Sequence, residues 1–302
     1  LDVSGPAALP GRAAGEPAKE TKAVPVNLHR KTVNLVERIN HQATAARTRV
    51  VLFDFDGTLS LIRAGWVEVM TPMMVEILAG LNSGETEAEL RAVVEEYVGR
   101  LTGKQTIYQM IALAEEVEKR GGKPEDPLKY KYMYLDRLMD RIRHRLDDLR
   151  RGKASPEQYL VPGSRALLEG LKERGFKMFL ASGTDDQYVK DEARLLDVGR
   201  YFDGGVYGAL DDYKSFSKAI LIQRIIRGAG VKGEEFLGFG DGYVEIENVK
   251  QVGGVAVGVA TDEPACEAID EWKRTRLIGV GADYIVPNYR GREELFAMLF
   301  SA

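Results

Sequence analysis

Phe53-Asp54-Phe55-Asp56-Gly57-Thr58-Leu59 follows directly on Arg49-Val50-Val51-Leu52. The β-branched and aromatic run over Arg49–Phe53 predicts a short buried strand that ends abruptly in a polar turn. Side chains alternate along a strand, so Asp54 and Asp56 point one way and Phe55 the other. In open parallel sheets, ligands bind beyond the carboxyl ends of the strands, which is where this pair would stand. Two carboxylates a few ångströms apart repel each other unless a cation or a shared proton relieves them. An Asx-type turn capping the next segment is the structural alternative, and the pair alone leaves both open.

Comparable apolar runs return at Phe176–Ala181, Phe236–Phe239, Gly254–Val259 and Tyr284–Val286. They alternate with helix-period segments at Ser164–Arg174, Asp186–Leu196, Ser217–Gly228 and Arg290–Leu299. Strand and helix in alternation predict an α/β fold, a Rossmann-like doubly wound parallel sheet with helices on both faces. Between the first two strands, Trp66–Tyr159 is rich in Glu, Arg, Met, Leu and Tyr and reads as all helix. Four helices are expected there, over Trp66–Leu81, Thr86–Leu101, Thr106–Lys119 and Leu128–Leu149, separated by turn-forming residues. The expected core is thus 26–65 with 160–302, and 66–159 is an all-helical insertion. Residues 1–25, dominated by Ala, Pro, Gly and scattered charge, read as a disordered tail or linker. A chain opening on Leu is expected to be a processed or excised piece, with a possible fusion partner on its N-terminal side. Over Val26–Arg47 the residues Leu28, Val33, Leu35, Val36 and Ile39 recur at about helical spacing and predict a helix.

Of 302 residues, 44% are hydrophobic and 29% charged, as in a soluble globular protein. Forty-two Lys and Arg against 46 Asp and Glu leave a net charge of −4, which argues against a nucleic-acid or acidic-membrane partner. Val50–Phe53 and Val255–Ala260, among the longest apolar runs, fall far short of the roughly 20 residues of a membrane span. Cys266 has no partner for an internal disulfide, and His29, His41, His144 and Cys266 are too scattered for a structural zinc site. Any metal should therefore be a hard cation on carboxylates. A cytoplasmic location is expected.

Three further strand ends carry polar groups. Ser182-Gly183-Thr184 places a hydroxyl and backbone N–H groups where a helix would open, either an anion site or a plain helix cap. Ser217-Lys218 opens the next helix with a cation, an unfavourable place for one unless an anion is near; a solvated lysine is the alternative. Gly240-Asp241-Gly242-Tyr243-Val244-Glu245 puts two acids four apart after a strand, readable also as a cap and a surface Glu.

Taken in this order, these segments resemble the four motifs of the haloacid dehalogenase superfamily. Phe53–Leu59 is similar to the first motif residue for residue, Ser182 falls on the second, Lys218 on the third, and Asp241 with Glu245 on the fourth. Two features depart: Glu245 stands where Asp is commoner, and Lys214 competes with Lys218, which is preferred because its helix leads to the fourth motif. The insertion resembles the family's C1 cap, as in phosphoglycolate phosphatase, β-phosphoglucomutase and phosphoserine phosphatase relatives. The resemblance implies a Mg2+ ion held by Asp54, the Asp56 carbonyl and Asp241, with Glu245 directly or through water. It implies Asp54 as nucleophile forming an aspartyl-phosphate and Asp56 as general acid and base. Ser182 and Lys218 would hold the phosphoryl oxygens, with Gly57, Thr58 and Gly183 lining the phosphate site. Haloacid dehalogenases and phosphonoacetaldehyde hydrolases lack an acid at the second position, so Asp56 favours a phosphate ester. The expected function is a phosphatase for a small phosphorylated metabolite, a sugar or organic-acid phosphate. A phosphomutase of the β-phosphoglucomutase type and a non-catalytic binding or regulatory module are the alternatives. Lys104, Gln105 and Tyr108, on a stretch resembling the cap loop, and Arg63, just past the first motif, are candidate substrate contacts. Trp66, Tyr130, Tyr132 and Tyr134 read as packing.

Overall fold

The computed structural model describes residues 35–215 and 217–300, and the tail expected over 1–25 lies outside them. Seven strands, β1 (Glu37–Arg38), β2 (Val50–Phe53), β3 (Lys177–Asp185), β4 (Gly205–Ala209), β5 (Phe236–Gly240), β6 (Val255–Val259) and β7 (Tyr284–Val286), form one sheet. Its order is β1-β7-β6-β5-β2-β3-β4, and every pairing is parallel except β1 with β7. β2 lies between β5 and β3 and is buried along its whole length. A strand covered on both faces needs an apolar residue at each position, which Val50-Val51-Leu52-Phe53 supplies. Val51 and Phe53 join one core cluster and Val50 and Leu52 the other, as a period of two requires.

From β2 the chain moves outward to β3 and β4, then returns to the other side of β2 for β5, β6 and β7. That reversal beside β2 is the switch point at which open α/β sheets leave a crevice. Phe53 pairs in register with Leu180 of β3 and Phe239 of β5, so Asp54, Ser182 and Asp241 emerge on one edge.

Four helices come between β2 and β3: α1 (Val67–Ala79), α2 (Glu87–Leu101), α3 (Thr106–Lys119) and α4 (Pro127–Arg150). Their limits are local chemistry. Thr86 and Glu89 form a capping box at the start of α2, and Asp126 caps α4 with Pro127 in its first turn. Leu90, Val94, Tyr97, Val98 and Leu101 give α2 one buried stripe, and the four helices pack on one another. Six more helices flank the sheet: α5 (Ser164–Glu173), α6 (Asp186–Leu195), α7 (Lys218–Ala229), α8 (Tyr243–Gln251), α9 (Glu271–Gly279) and α10 (Arg292–Phe300). Among the described residues no helix is long and apolar enough to cross a membrane.

Three expectations change. The helix over Val26–Arg47 falls partly outside the described residues; from residue 35 onward the chain is instead extended and turning, with β1 along the edge of β7. Val36 packs in the core there, the Tyr284 hydroxyl donates to the Ala43 carbonyl at 2.8 Å, and Arg274 holds Glu37 at 2.7 Å. These long-range contacts outweigh a weak helical period. Ser182-Gly183-Thr184 is not a helix opening but part of β3, where the register with β4 shifts between Ala181 and Asp185. Finally, β4 and α9 were not expected: β4 is diluted by two glycines, and α9 buries only Leu277.

The sheet is keyed at its centre by Phe53 stacked on Phe239, ring centroids 4.6 Å apart and 7° from parallel, with Tyr289 edge-on to Phe239 at 6.1 Å. Phe239→Ala should therefore lower stability by about 3–5 kcal/mol, read as a lower urea midpoint with an unchanged slope. A midpoint within experimental error of the parent would show that this stack does not support the fold.

Candidate active site

Everything beyond β2 is arranged by a tight loop. The Leu59 and Ser60 amides donate to the Phe55 carbonyl at 2.8 and 2.9 Å, and the Gly57 amide donates to Ser60 O at 2.9 Å. Gly57 has φ +71°, and a Cβ there would lie 2.2 Å from Asp241 Oδ2, so only glycine lets the first loop and the β5 loop close on each other. The Asp241 amide donates to Thr58 Oγ1 at 2.9 Å, and the Tyr289 hydroxyl to Thr58 O at 2.9 Å.

Lys218 is the first residue of α7, after Ser217, whose Oγ accepts from the Ile220 amide at 3.1 Å. Its ammonium reaches Asp54 Oδ1 at 2.7 Å and also pairs with Glu245 Oε1. Asp56 turns to the second strand end, where its Oδ2 accepts from Thr184 Oγ1 at 2.8 Å and Ser182 Oγ at 3.2 Å. Asp56 Oδ1 is buried with no hydrogen-bond partner among the described residues. Asp54, Asp56, Gly57, Lys218, Asp241 and Glu263 line one end of a cavity of about 110 Å³.

Burial dominates the electrostatics. It pushes the Asp54 carboxyl up to about 7, against the Lys218 charge and with the help of Asp241 and Asp56. Burial likewise lifts Asp56 to about 6, opposed by Arg63 and by the two hydroxyl donors. On the far side of Asp241, Lys273 pairs with Asp241 Oδ2 at 3.1 Å and Glu263 Oε1 at 2.7 Å. Among the described residues no three Asp, Glu, His or Cys side chains converge as a metal centre as they stand. The donor set nevertheless suits a hard divalent cation. Asp54, Asp56 and Asp241 border one cavity, one buried oxygen lacks a partner, and Asp54 carries a raised pKa that a cation would relieve.

The other candidates divide. Gly183 lines both this cavity and an outer one of about 470 Å³. Lys104 borders both, while Gln105 and Tyr108 border only the outer cavity, Gln105 donating to Tyr213 O at 3.4 Å and Tyr108 edge-on to Tyr213. Arg63 lines the inner cavity but is forked onto Glu192, 2.7 Å from Nη2 to Oε1. Glu245 faces Lys218 instead of the inner cavity, and Lys214 is exposed over the Tyr213 ring. Trp66 and Tyr134, expected only to pack, also line the inner cavity. Thr184, Gln109, Glu192, Glu263 and Lys273 were missed. Thr184 stood beside Ser182 in a stretch already singled out, whereas the other four are joined to the site only by folding.

A family model described as haloacid dehalogenase-like hydrolase matches residues 48–253. No match was found among curated proteins. Among solved structures, the chain is similar to a predicted phosphoglycolate phosphatase from Haemophilus somnus, at 14% identity and TM-score 0.54, covering 82% of this chain and 98% of that one. It is similar to a predicted phosphatase from Clostridium acetobutylicum, at 19% identity and TM-score 0.51, over 83% and 99% of the two chains. A third is a hydrolase of the same family from Deinococcus radiodurans with bound phosphate and sodium, at 14% identity and TM-score 0.50, over 85% and 100%. At these identities the likeness is one of fold.

Because Asp54 and Asp56 both rise above their ordinary 3.8 on folding, the folded protein keeps protons that the unfolded chain has released. The stability that these two groups contribute is fully present below about pH 4 and is lost as pH rises through about 6 to 7. Asp56→Asn removes one such group. In chelator-treated protein, its Tm relative to the parent should be more favourable at about pH 8 than at about pH 4.5. A Tm difference constant across that range would contradict the raised carboxyl.

Proposed function

The chain belongs to the haloacid dehalogenase-like hydrolases, and from that premise we propose that it is a magnesium-dependent phosphohydrolase cleaving a small phosphate monoester. The observation that carries the reading is the division of labour between Asp54, held on Lys218, and Asp56, held on Ser182 and Thr184. A cation on Asp54, the Asp56 carbonyl and Asp241, with Glu245 behind, would screen phosphate from carboxylate and stabilise charge on the phosphoryl oxygens.

The protein's own groups do the rest. Asp54 attacks phosphorus, the bond to the leaving oxygen breaks, and an aspartyl-phosphate forms. Asp56, whose carboxyl burial pushes up to about 6, gives its proton to the departing alkoxide. It then takes a proton from the water that attacks phosphorus and frees Asp54. Lys218 and Ser182 hold non-bridging oxygens, with the Gly57, Thr58 and Gly183 backbone around them. Glu245 pairs with the Lys218 ammonium and fixes its position. Helices α1–α4 act as a cap that excludes bulk water: the 102–105 loop reaches the core so closely that a Cβ on Gly183 would lie 3.0 Å from Lys104 O. A small phosphorylated metabolite in the cytoplasm is the substrate this reading implies.

Phosphate release from p-nitrophenyl phosphate should require magnesium and stop on chelation. Asp54→Asn should lower it by about a thousandfold or more and remove any hydroxylamine-sensitive phosphoenzyme. Substantial turnover by Asp54→Asn would sink the mechanism.

A further inference from the structure

Beyond Asp56 the inner cavity is walled by Arg63, Trp66, Met70, Gln109, Tyr134 and Leu135. The charges on this side are already matched within the protein. Arg63 is 4% exposed and forked onto Glu192, itself 1% exposed, with Nε to Oε1 at 3.1 Å and Nη2 to Oε1 at 2.7 Å. The Tyr188 ring covers the guanidinium at 5.3 Å. Asp185, which also borders the cavity, is paired with the buried Lys131. Lys104, the remaining lining cation apart from Lys218, is exposed, and its ammonium lies over Tyr108, a ring of the outer cavity.

Neutral hydrogen-bonding capacity, by contrast, is left over. Gln109 is 3% exposed and Tyr134 4%, yet neither the amide nor the phenol has a hydrogen-bond partner among the described residues. Burial holds the Tyr134 phenol well above its ordinary pKa, so it stays a donor. Polar groups buried in this way call for a partner, and both of these border the cavity.

We infer that this chamber is built for an uncharged, hydroxyl-bearing leaving group, a polyol or sugar monophosphate, and against one bearing a second anion. The inference rests on the phosphohydrolase reading. A hydroxyl can accept from Tyr134 and donate to the Gln109 carbonyl while Met70, Leu135 and Trp66 cover its carbon skeleton. A carboxylate in the same place would be desolvated beside Asp56 and Asp185, since Glu192 neutralises Arg63 and the Lys104 ammonium is turned onto the Tyr108 ring. The expectation that Arg63 is itself a substrate contact gives way to this one. Arg63 becomes a positioning residue for the wall, and its charge acts on Asp56.

Glycerol 3-phosphate and 3-phosphoglycerate differ by one hydroxymethyl group against one carboxylate, and so isolate the question. Binding of each to Asp54→Asn protein with magnesium, by calorimetry, should favour glycerol 3-phosphate at least about tenfold, and kcat/KM of the parent should follow. Tyr134→Phe should lower kcat/KM for glycerol 3-phosphate about tenfold. Glu192→Gln, checked for folding by circular dichroism, should raise the 3-phosphoglycerate to glycerol 3-phosphate ratio about tenfold. Equal binding of the pair, or tighter 3-phosphoglycerate, overturns the inference even if p-nitrophenyl phosphate is hydrolysed. Selective binding without phosphate release from any ester supports the chamber and overturns the phosphohydrolase reading instead.

Discussion

A buried ammonium between two carboxylates organises this molecule. Lys218 opens α7, where the helix dipole disfavours a cation, and it is tolerated because Asp54 of the β2 loop and Glu245 of α8 meet it from two sides. One interaction thus joins three elements that adjoin in space and lie far apart in sequence. It explains why α8 must sit so near the β5 loop: a Cβ on Gly240 would lie 2.7 Å from Glu245 Cβ. Removing any member would leave a buried charge unmatched, which costs far more than the pair itself contributes.

Much of the fold was legible because the signals were local. β2 and β7 are uninterrupted apolar runs, and α2 and α4 begin at residues whose side chains cap them. β1 was not legible, since two polar residues become a strand only because β7 offers an edge and Arg274 holds Glu37. The same division runs through the site. Asp54, Asp56, Lys218 and Asp241 stand at strand or helix ends that periodicity can find. Lys273, Glu263 and Glu192 matter through partners 10 to 129 residues away. The Ser182 bulge sits between these cases, its residues visible and its backbone shape not.

The helical insertion meets the core through charge as well as shape. Lys131 of α4 pairs with Asp185 and, at 3.2 Å, with Asp211, while the Tyr132 hydroxyl donates to Asp211 at 2.9 Å. Across the site, Arg276 of α9 donates to the carbonyls of Gly99 and Arg100 at the end of α2. Helix carbonyls without an internal partner are natural acceptors for such a clamp. The insertion is therefore held at both flanks, and its 102–105 loop lies between them.

Between those flanks the two parts touch backbone to backbone. A Cβ on Gly103 would come within 3.1 Å of Gly242 Cα, and one on Gly242 within 2.8 Å of Gly103 Cα. Such a seam is set by main chain with the Glu245 carboxylate beside it, so it behaves like the mating faces of a valve, whose fit depends on there being nothing in the gap. A single methyl group at either face would act as a shim. It would press the halves apart by the width of a bonded carbon, and at Gly242 it would also meet the Glu245 carboxylate, whose Oε2 lies 2.5 Å from such a Cβ.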